Sequence, residues 1–368
     1  MKLLIGDYKR SLEGGQSYQE TLLNFVNEEN LFIGVVTRDA TLKDDKRFQA
    51  LQDKIHVIPL RTQPVKLIGA FKKLRRQGYE AIYLNRPVMS VTELLACRVS
   101  GLKVIMHAHS SRAEAKTKRR RMILSADHYL ARFLIFPLLS KIRLACSESA
   151  SAWFYGKSAL KKKKAIVINN AIEVEKYLYS SFSREKERQD LGLDGKFVVG
   201  HIGRFVWVKN QSFLIDVFHE LLAMNPQAVL LIVGNGEKKG ELLSKAKTLG
   251  IADKVTVLEP RVDVNVLYSV FDAFVLPSFF EGLPLTLVEA QAASLPCFVS
   301  DTVSKDCAIT NQVQFLPLQA GPKVWAESIA NYVYEDRRDR SAEIKEAGFD
   351  IRDQIKKVEE IILKQDWK

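Results

Sequence analysis

Two doubly wound α/β domains, each built on a parallel sheet, are predicted by three observations. The chain has 368 residues, more than the ~150 that one ordinary domain holds. Short β-branched apolar runs alternate with longer helical patterns along its whole length. A polar stretch near the middle, closed by glycines, divides two runs of the same rhythm.

In the first run the apolar segments predict strands near 2–6, 31–36, 55–59, 80–84, 103–107, 142–146 and 165–168. Amphipathic segments separate them, such as 18–26, where apolar residues recur at helical spacing. The second run predicts strands near 196–202, 228–233, 254–258, 272–276, 296–300 and 313–316, with helices near 210–223, 237–249, 284–293 and 323–335. Strand-helix-strand alternation specifies parallel sheets with Rossmann-like winding. The joint is the polar run from Ser180 to Arg188, ending in Gly192-Leu193-Asp194-Gly195. The expected domains are 1–172 and 173–340. A charged amphipathic helix over 341–368 is expected to cross back onto the first.

Composition narrows the class. With 47% hydrophobic and 27% charged residues the chain has apolar mass for two cores. No stretch approaches the roughly 20 apolar residues of a membrane span. The segment Met1–Asp7 turns polar too soon for a signal peptide and reads as a first strand. Cys97, Cys146, Cys297 and Cys307 are far apart with no CxxC pair, which argues against structural zinc or a disulfide framework and fits a reducing cytoplasm. The net charge of +12 is uneven. Residues 1–172 hold 31 Lys and Arg against 14 Asp and Glu, a net +17, and the remainder carries −5. A basic half implies a polyanionic neighbour, which is anionic lipid, a phosphorylated carrier or nucleic acid, or else it serves solubility alone.

The strongest local signal runs from Pro277 to Ala290. Phe274-Val275-Leu276 reads as a buried strand, Glu281-Gly282 as a turn and Pro284 as the first turn of a helix. Leu283, at the expected capping position, has no side-chain acceptor, so the amides of Leu285 and Thr286 are available to a phosphate. Glu281 in the loop suits a sugar hydroxyl. Glu289 lies in an otherwise apolar helix and suits a ribose diol. A second signal is the segment from His201 to Asn210, where Arg204 and Lys209 follow a strand and can clamp a diphosphate as it leaves. Glu13-Gly14-Gly15-Gln16-Ser17 follows strand one; Gly14 and Gly15 let backbone approach a ligand, or form a plain turn. Gly234-Asn235-Gly236 is half a dinucleotide fingerprint, with the third glycine one residue late.

His107 and His109 end the fifth strand and are expected to line a loop, one of them as a hydrogen-bonding or proton-accepting group. A metal needs a third ligand that the neighbourhood does not offer. No Asp-x-Asp motif occurs, so no metal and no cofactor beyond a co-substrate is expected. Arg112–Arg121 and Lys161–Lys164 are basic clusters. Between them the apolar stretch 129–139 is too short to span a bilayer and reads as a core helix, with a helix lying on lipid as the alternative.

These residues resemble the retaining glycosyltransferases of family four, with the GT-B fold, and within them bacterial capsular and exopolysaccharide transferases. The resemblance covers the whole chain and is most specific from His201-Ile202-Gly203-Arg204 through Gly234-Asn235-Gly236 to Glu281 and Glu289. It implies that Arg204 and Lys209, with the amides of Leu285 and Thr286, hold the donor diphosphate of a UDP-sugar. Glu289 would hold the ribose and Glu281 the sugar. Gly14 and Gly15 match the family's early glycine loop, and His109, before His107, its active-site histidine. The second domain would bind donor and the first a glycan or lipid-linked glycan acceptor, at the inner face of the cell membrane, alongside other polysaccharide-assembly enzymes. Two departures stand out. The interdomain turn reads Asn170-Ala171-Ile172-Glu173, and Glu259-Pro260 precedes Arg261, the residue matched to donor-base recognition.

Two other readings compete. A nucleotide-sugar epimerase or hydrolase would keep the fold and release product without an acceptor. A nucleic-acid-binding protein would use the basic half, but no recognised binding motif accompanies the charge, so no nucleic-acid partner is expected.

Overall fold

The computed structural model describes residues 1–8, 31–44, 52–86, 88–108, 117–139, 142–162, 164–281 and 283–364. Among these described residues thirteen strands form two sheets. The first contains β1 (Lys2–Tyr8), β2 (Phe32–Thr37), β3 (Ile55–Val57), β4 (Ala81–Arg86), β5 (Lys103–Ala108), β6 (Ile142–Ala145) and β7 (Ile166–Val167). Its spatial order is β3-β2-β1-β4-β5-β6-β7. The second contains β8 (Phe197–Ile202), β9 (Ala228–Val233), β10 (Val255–Leu258), β11 (Ala273–Leu276), β12 (Cys297–Ser300) and β13 (Val313–Leu316). Its order is β10-β9-β8-β11-β12-β13, and every pairing in both sheets is parallel. Each expected strand is present. The chain divides into two units, Asn170–Ile351 forming the second and the described residues from Arg352 on grouping with the first.

In each sheet the winding reverses once, between β1 and β4 and between β8 and β11. The carboxyl ends of the strands beside such a reversal form the crevice where parallel sheets take ligands.

The second sheet is legible because its strands are buried on both faces. Along β9, Val229, Leu231 and Val233 feed one core while Ala228, Leu230 and Ile232 feed the other. Along β11, Phe274 and Leu276 alternate with Ala273 and Val275 in the same way. Gly200 on β8 is glycine because a Cβ there would stand 2.2 Å from the Phe271 ring.

Four expectations need correction. The helix Leu285–Ala292 is capped by Pro284, not Leu283. The segment from 341 is two helices, Ser341–Glu346 and Ile351–Lys364, because Gly348 takes a φ of 81° between them. His107 lies within β5 and is fully buried, not in a loop. The stretch 129–139 is not a core helix all round. It ends the helix Lys118–Leu130, passes through a π-helical turn at Ala131–Ile135 and a short 3-10 turn at Phe136–Leu138, and leaves Phe133, Leu134 and Leu138 exposed. The segment 18–26 lies outside the described residues.

Candidate active site in the second unit

The site forms where β8 and β11 end. Beyond β8 the chain crosses Gly203 and Arg204, makes a 3-10 turn at Trp207–Lys209, and enters the helix Gln211–Met224 through Asn210, whose φ is 52°. Beyond β11 it crosses Pro277, Ser278 and Phe279 to Glu281. The two loops are laced together. Phe279 N donates to Val208 O at 2.8 Å. Asn210 Nδ2 donates to Pro277 O at 3.1 Å. The Trp207 and Phe279 rings stack with centroids 4.6 Å apart.

A third loop, after β9, supports the first from behind. Phe205 N donates to Asn235 O at 2.8 Å and Gly203 N to Val233 O at 3.0 Å. A Cβ on Gly234 would lie 2.1 Å from Gly203 O, and one on Gly236 would lie 2.5 Å from Phe205 O. The Gly-Asn-Gly segment is therefore a backbone-packing device that lets the Arg204 loop sit low. It is not a dinucleotide cradle.

His201, on β8, braces the same loop. Its Nδ1–H donates to Val275 O at 2.8 Å, which leaves Nε2 to accept from Gln211 Nε2 at 3.3 Å. Gln211 also donates to Arg204 O at 2.8 Å. Burial pushes the imidazole down to about 4, so it is neutral at physiological pH and keeps this tautomer.

Arg204 projects into solvent, and among the described residues its guanidinium has no hydrogen-bond or ion-pair partner. Lys209 Nζ meets Glu281 Oε1 at 2.7 Å, and Ser278 Oγ donates to the same oxygen at 3.0 Å. Glu281 is fixed further by a parallel bridge to Val303. Lys209 and Glu281 are thus brought together as an ion pair, and a bound anion would share the lysine.

The helix Leu285–Ala292 points its amino end into this region. The amides of Leu285 and Thr286 have no partner among the described residues, as expected. The structure adds the Thr286 hydroxyl, whose Oγ1 is buried with no partner. A buried hydroxyl and two open amides at a helix start make an anion-binding end.

One turn on, Glu289 accepts a short hydrogen bond from the Tyr268 hydroxyl, whose ring meets the Tyr177 ring edge-on at 5.7 Å between centroids. Burial pushes its carboxyl above the usual glutamate range, opposed by the two phenols and by the charge of Lys209. An acid raised on folding stabilises the fold fully only below its unfolded pKa. That stability is lost as pH rises through the folded value. Glu289→Gln is accordingly expected to raise the melting temperature at neutral pH, with the gain shrinking as pH falls through the folded value and gone below the unfolded value of ~4.3. It should weaken nucleotide binding at the same time. Thermal melts with and without nucleotide at two pH values check both.

Arg261 stands between two carboxylates. Its guanidinium is held by Glu187 at 2.9 and 3.2 Å and by Asp263 at 2.6 and 2.5 Å. A cavity of about 250 Å³ borders Trp207, Phe279, Lys238 and Glu241, and does not reach Arg204, Glu281 or Glu289. In the first unit, His107 Nδ1 and the Tyr83 hydroxyl are 2.5 Å apart. His109, Gly14 and Gly15 lie outside the described residues, as does Gly282. Tyr177, Tyr268 and Ser278 were missed from sequence. The only signal was for Ser278, three residues before Glu281.

Residues 183–349 match the family model for glycosyl transferases group 1. The chain is 28% identical over 324 residues to the putative glycosyltransferase EpsF of Bacillus subtilis (strain 168), covering 84% of this chain and 83% of that protein. It is 27% identical over 252 residues to the UDP-Gal:alpha-D-GlcNAc-diphosphoundecaprenol alpha-1,3-galactosyltransferase of Escherichia coli, covering 67% of this chain and 64% of that one. The crystal structure of Anabaena Alr3699/HepE in complex with UDP and glucose superposes with a TM-score of 0.72 at 19% identity, over 98% of this chain and 99% of that one. Residues 183–349 thus match the glycosyl transferases group 1 family, and the chain has the GT-B fold of these structural neighbours.

Proposed function

We propose that this glycosyltransferase moves a sugar from a UDP-sugar to a growing, lipid-linked cell-surface glycan, with retention of configuration and without a metal ion, at an anionic membrane surface. The observation that carries the reading is the unpaired Arg204 on the same loop as Lys209, whose ion-pair partner Glu281 lies on the loop that leads to the open amides of Leu285 and Thr286. Together they supply two cations and a helix start for one diphosphate. Glu281 and Glu289, at successive levels of the same loop and helix, suit the sugar and the ribose.

Two relatives support the choice of substrates. The galactosyltransferase relative is named for a UDP-galactose donor and a diphosphoundecaprenol-linked acceptor. HepE binds UDP-glucose. In the proposed reaction the bond from the anomeric carbon to the diphosphate oxygen breaks as the acceptor oxygen bonds to the same face. The acceptor hydroxyl proton passes to the departing phosphate. Arg204 and Lys209 stabilise the charge that gathers on that phosphate, where preorganised cations contribute most.

The test is transfer from a panel of UDP-sugars to a polyprenyl-diphosphate-linked sugar in the presence of a chelator, with the product's anomeric configuration read by NMR. Transfer with the donor's configuration supports the reading. An inverted product, a requirement for added metal, or sugar release at the same rate without acceptor would each contradict a stated part of it.

A further inference from the structure

The segment Lys118–Leu138 carries its apolar residues on the wrong side for a soluble helix. Its inner face is already satisfied. His128 Nδ1 accepts from Met89 N at 3.1 Å and its ring stacks on Trp153 at 4.8 Å. Asp127 Oδ1 accepts from Val91 N at 3.1 Å. Ala131, Ile135 and Phe136 are buried. The outer face repeats Met122, Tyr129, Leu130, Phe133, Leu134 and Leu138, all exposed, with Phe133 and Leu134 each at 65%.

Those positions stand at i, i+7, i+8, i+11, i+12 and i+16 from Met122 and form one broad stripe roughly 25 Å long at helical rise. The neighbouring helix Val91–Ser100 packs against this segment and adds exposed Leu95 and Val99. Scattered exposed apolar residues are ordinary. A continuous stripe shared by two elements marks a contact surface. At the amino end of the stripe stand Arg119, Arg120 and Arg121, all exposed. No helix among the described residues is long and apolar enough to cross a membrane.

We infer that the outer face of Lys118–Leu138, with Leu95 and Val99, lies in the headgroup layer of an anionic bilayer, its apolar stripe in the acyl boundary and Arg119–Arg121 on the acidic headgroups. An apolar stripe with arginines at one end suits that interface, where apolar burial and attraction to anionic lipid add. A second copy of the chain suits it less, since it brings the same positive charge to a basic surface. The inference rests on the membrane-bound acceptor proposed above and assigns the docking surface to named residues.

The experiment is flotation of the full chain with phosphatidylcholine vesicles, with and without phosphatidylglycerol, at low and high salt. The proteins are the wild type, Phe133→Glu/Leu134→Glu and Arg119→Glu/Arg120→Glu/Arg121→Glu. The wild type is expected to float with the anionic vesicles. The Phe133/Leu134 variant should bind at least ~10-fold more weakly while keeping its melting temperature and its stabilisation by UDP. The arginine variant should lose binding to anionic vesicles only. Phe133→Ser/Leu134→Ser replaces the glutamate pair if that pair does not fold. Vesicle binding unchanged in the Phe133/Leu134 variants overturns the inference. So does a wild type that ignores vesicles and instead self-associates through the stripe. Loss of the UDP response in every protein would strike the donor reading and leave the flotation result to decide the docking surface.

Discussion

Arg204→Ala is expected to lower kcat by ~10²–10³-fold, with a much smaller change in donor KM. The reasoning starts from charge. In the structure Lys209 is already neutralised by Glu281 at 2.7 Å, whereas Arg204 has no partner among the described residues. Arg204 is therefore the cation whose full interaction is reserved for the diphosphate. A contact that strengthens as charge builds on the leaving group acts on the transition state more than on the bound donor. Steady-state kinetics on Arg204→Ala and Arg204→Lys separate charge from geometry. The lysine variant should recover only part of the rate, because a point charge does not replace a planar fork. An effect confined to KM would remove Arg204 from the chemistry.

The second large effect concerns stability. Asp272, just before β11, is the hub of a network that ties the helix Ser181–Leu191 to the second sheet. Its carboxylate meets Arg184 Nη2 at 2.5 Å and Arg188 Nη2 at 2.6 Å, and accepts from Val198 N at 2.7 Å. Arg188 is itself buried. Asp272→Ala would take the carboxylate from two guanidiniums, which keep backbone carbonyls of Ser269, Val270, Phe271 and Lys196, and would leave the Val198 amide without its acceptor. The carboxylate is only partly buried, so losing its charge-assisted hydrogen bonds costs about 2–3 kcal/mol, a fall of roughly 5–10 °C in melting temperature for a unit of this size. Thermal denaturation followed by circular dichroism checks it. A shift under ~2 °C would show that the network is solvated and weak.

The fold was legible because it rests on short-range pattern. Strands buried on both faces leave continuous apolar runs, and all thirteen expected strands appear. The site was legible only where its parts are local. The residues from Pro277 to Glu289 announce a loop and a helix start. The Lys209–Glu281 ion pair joins residues 72 positions apart, and nothing in the order of residues reports it. The phenol of Tyr268 reaches Glu289 through space from another element, with the Tyr177 ring against it, so no motif holds them. Arg261 matched a motif, and its pairing with Glu187, far back on the linker helix, was not legible in it. The stretch 129–139 was misread for a related reason. An apolar run reports how much hydrophobic surface a helix has, not which side the rest of the unit covers.

The central claim is that the loops after β8 and β11 hold a uridine diphosphate. The measurement that tests it most directly is thermal stabilisation by UDP, GDP, ADP and NAD without added metal. A rise with UDP alone in the wild type, much reduced in Arg204→Ala, is the predicted result. No rise with any nucleotide, or one with NAD only, would contradict it.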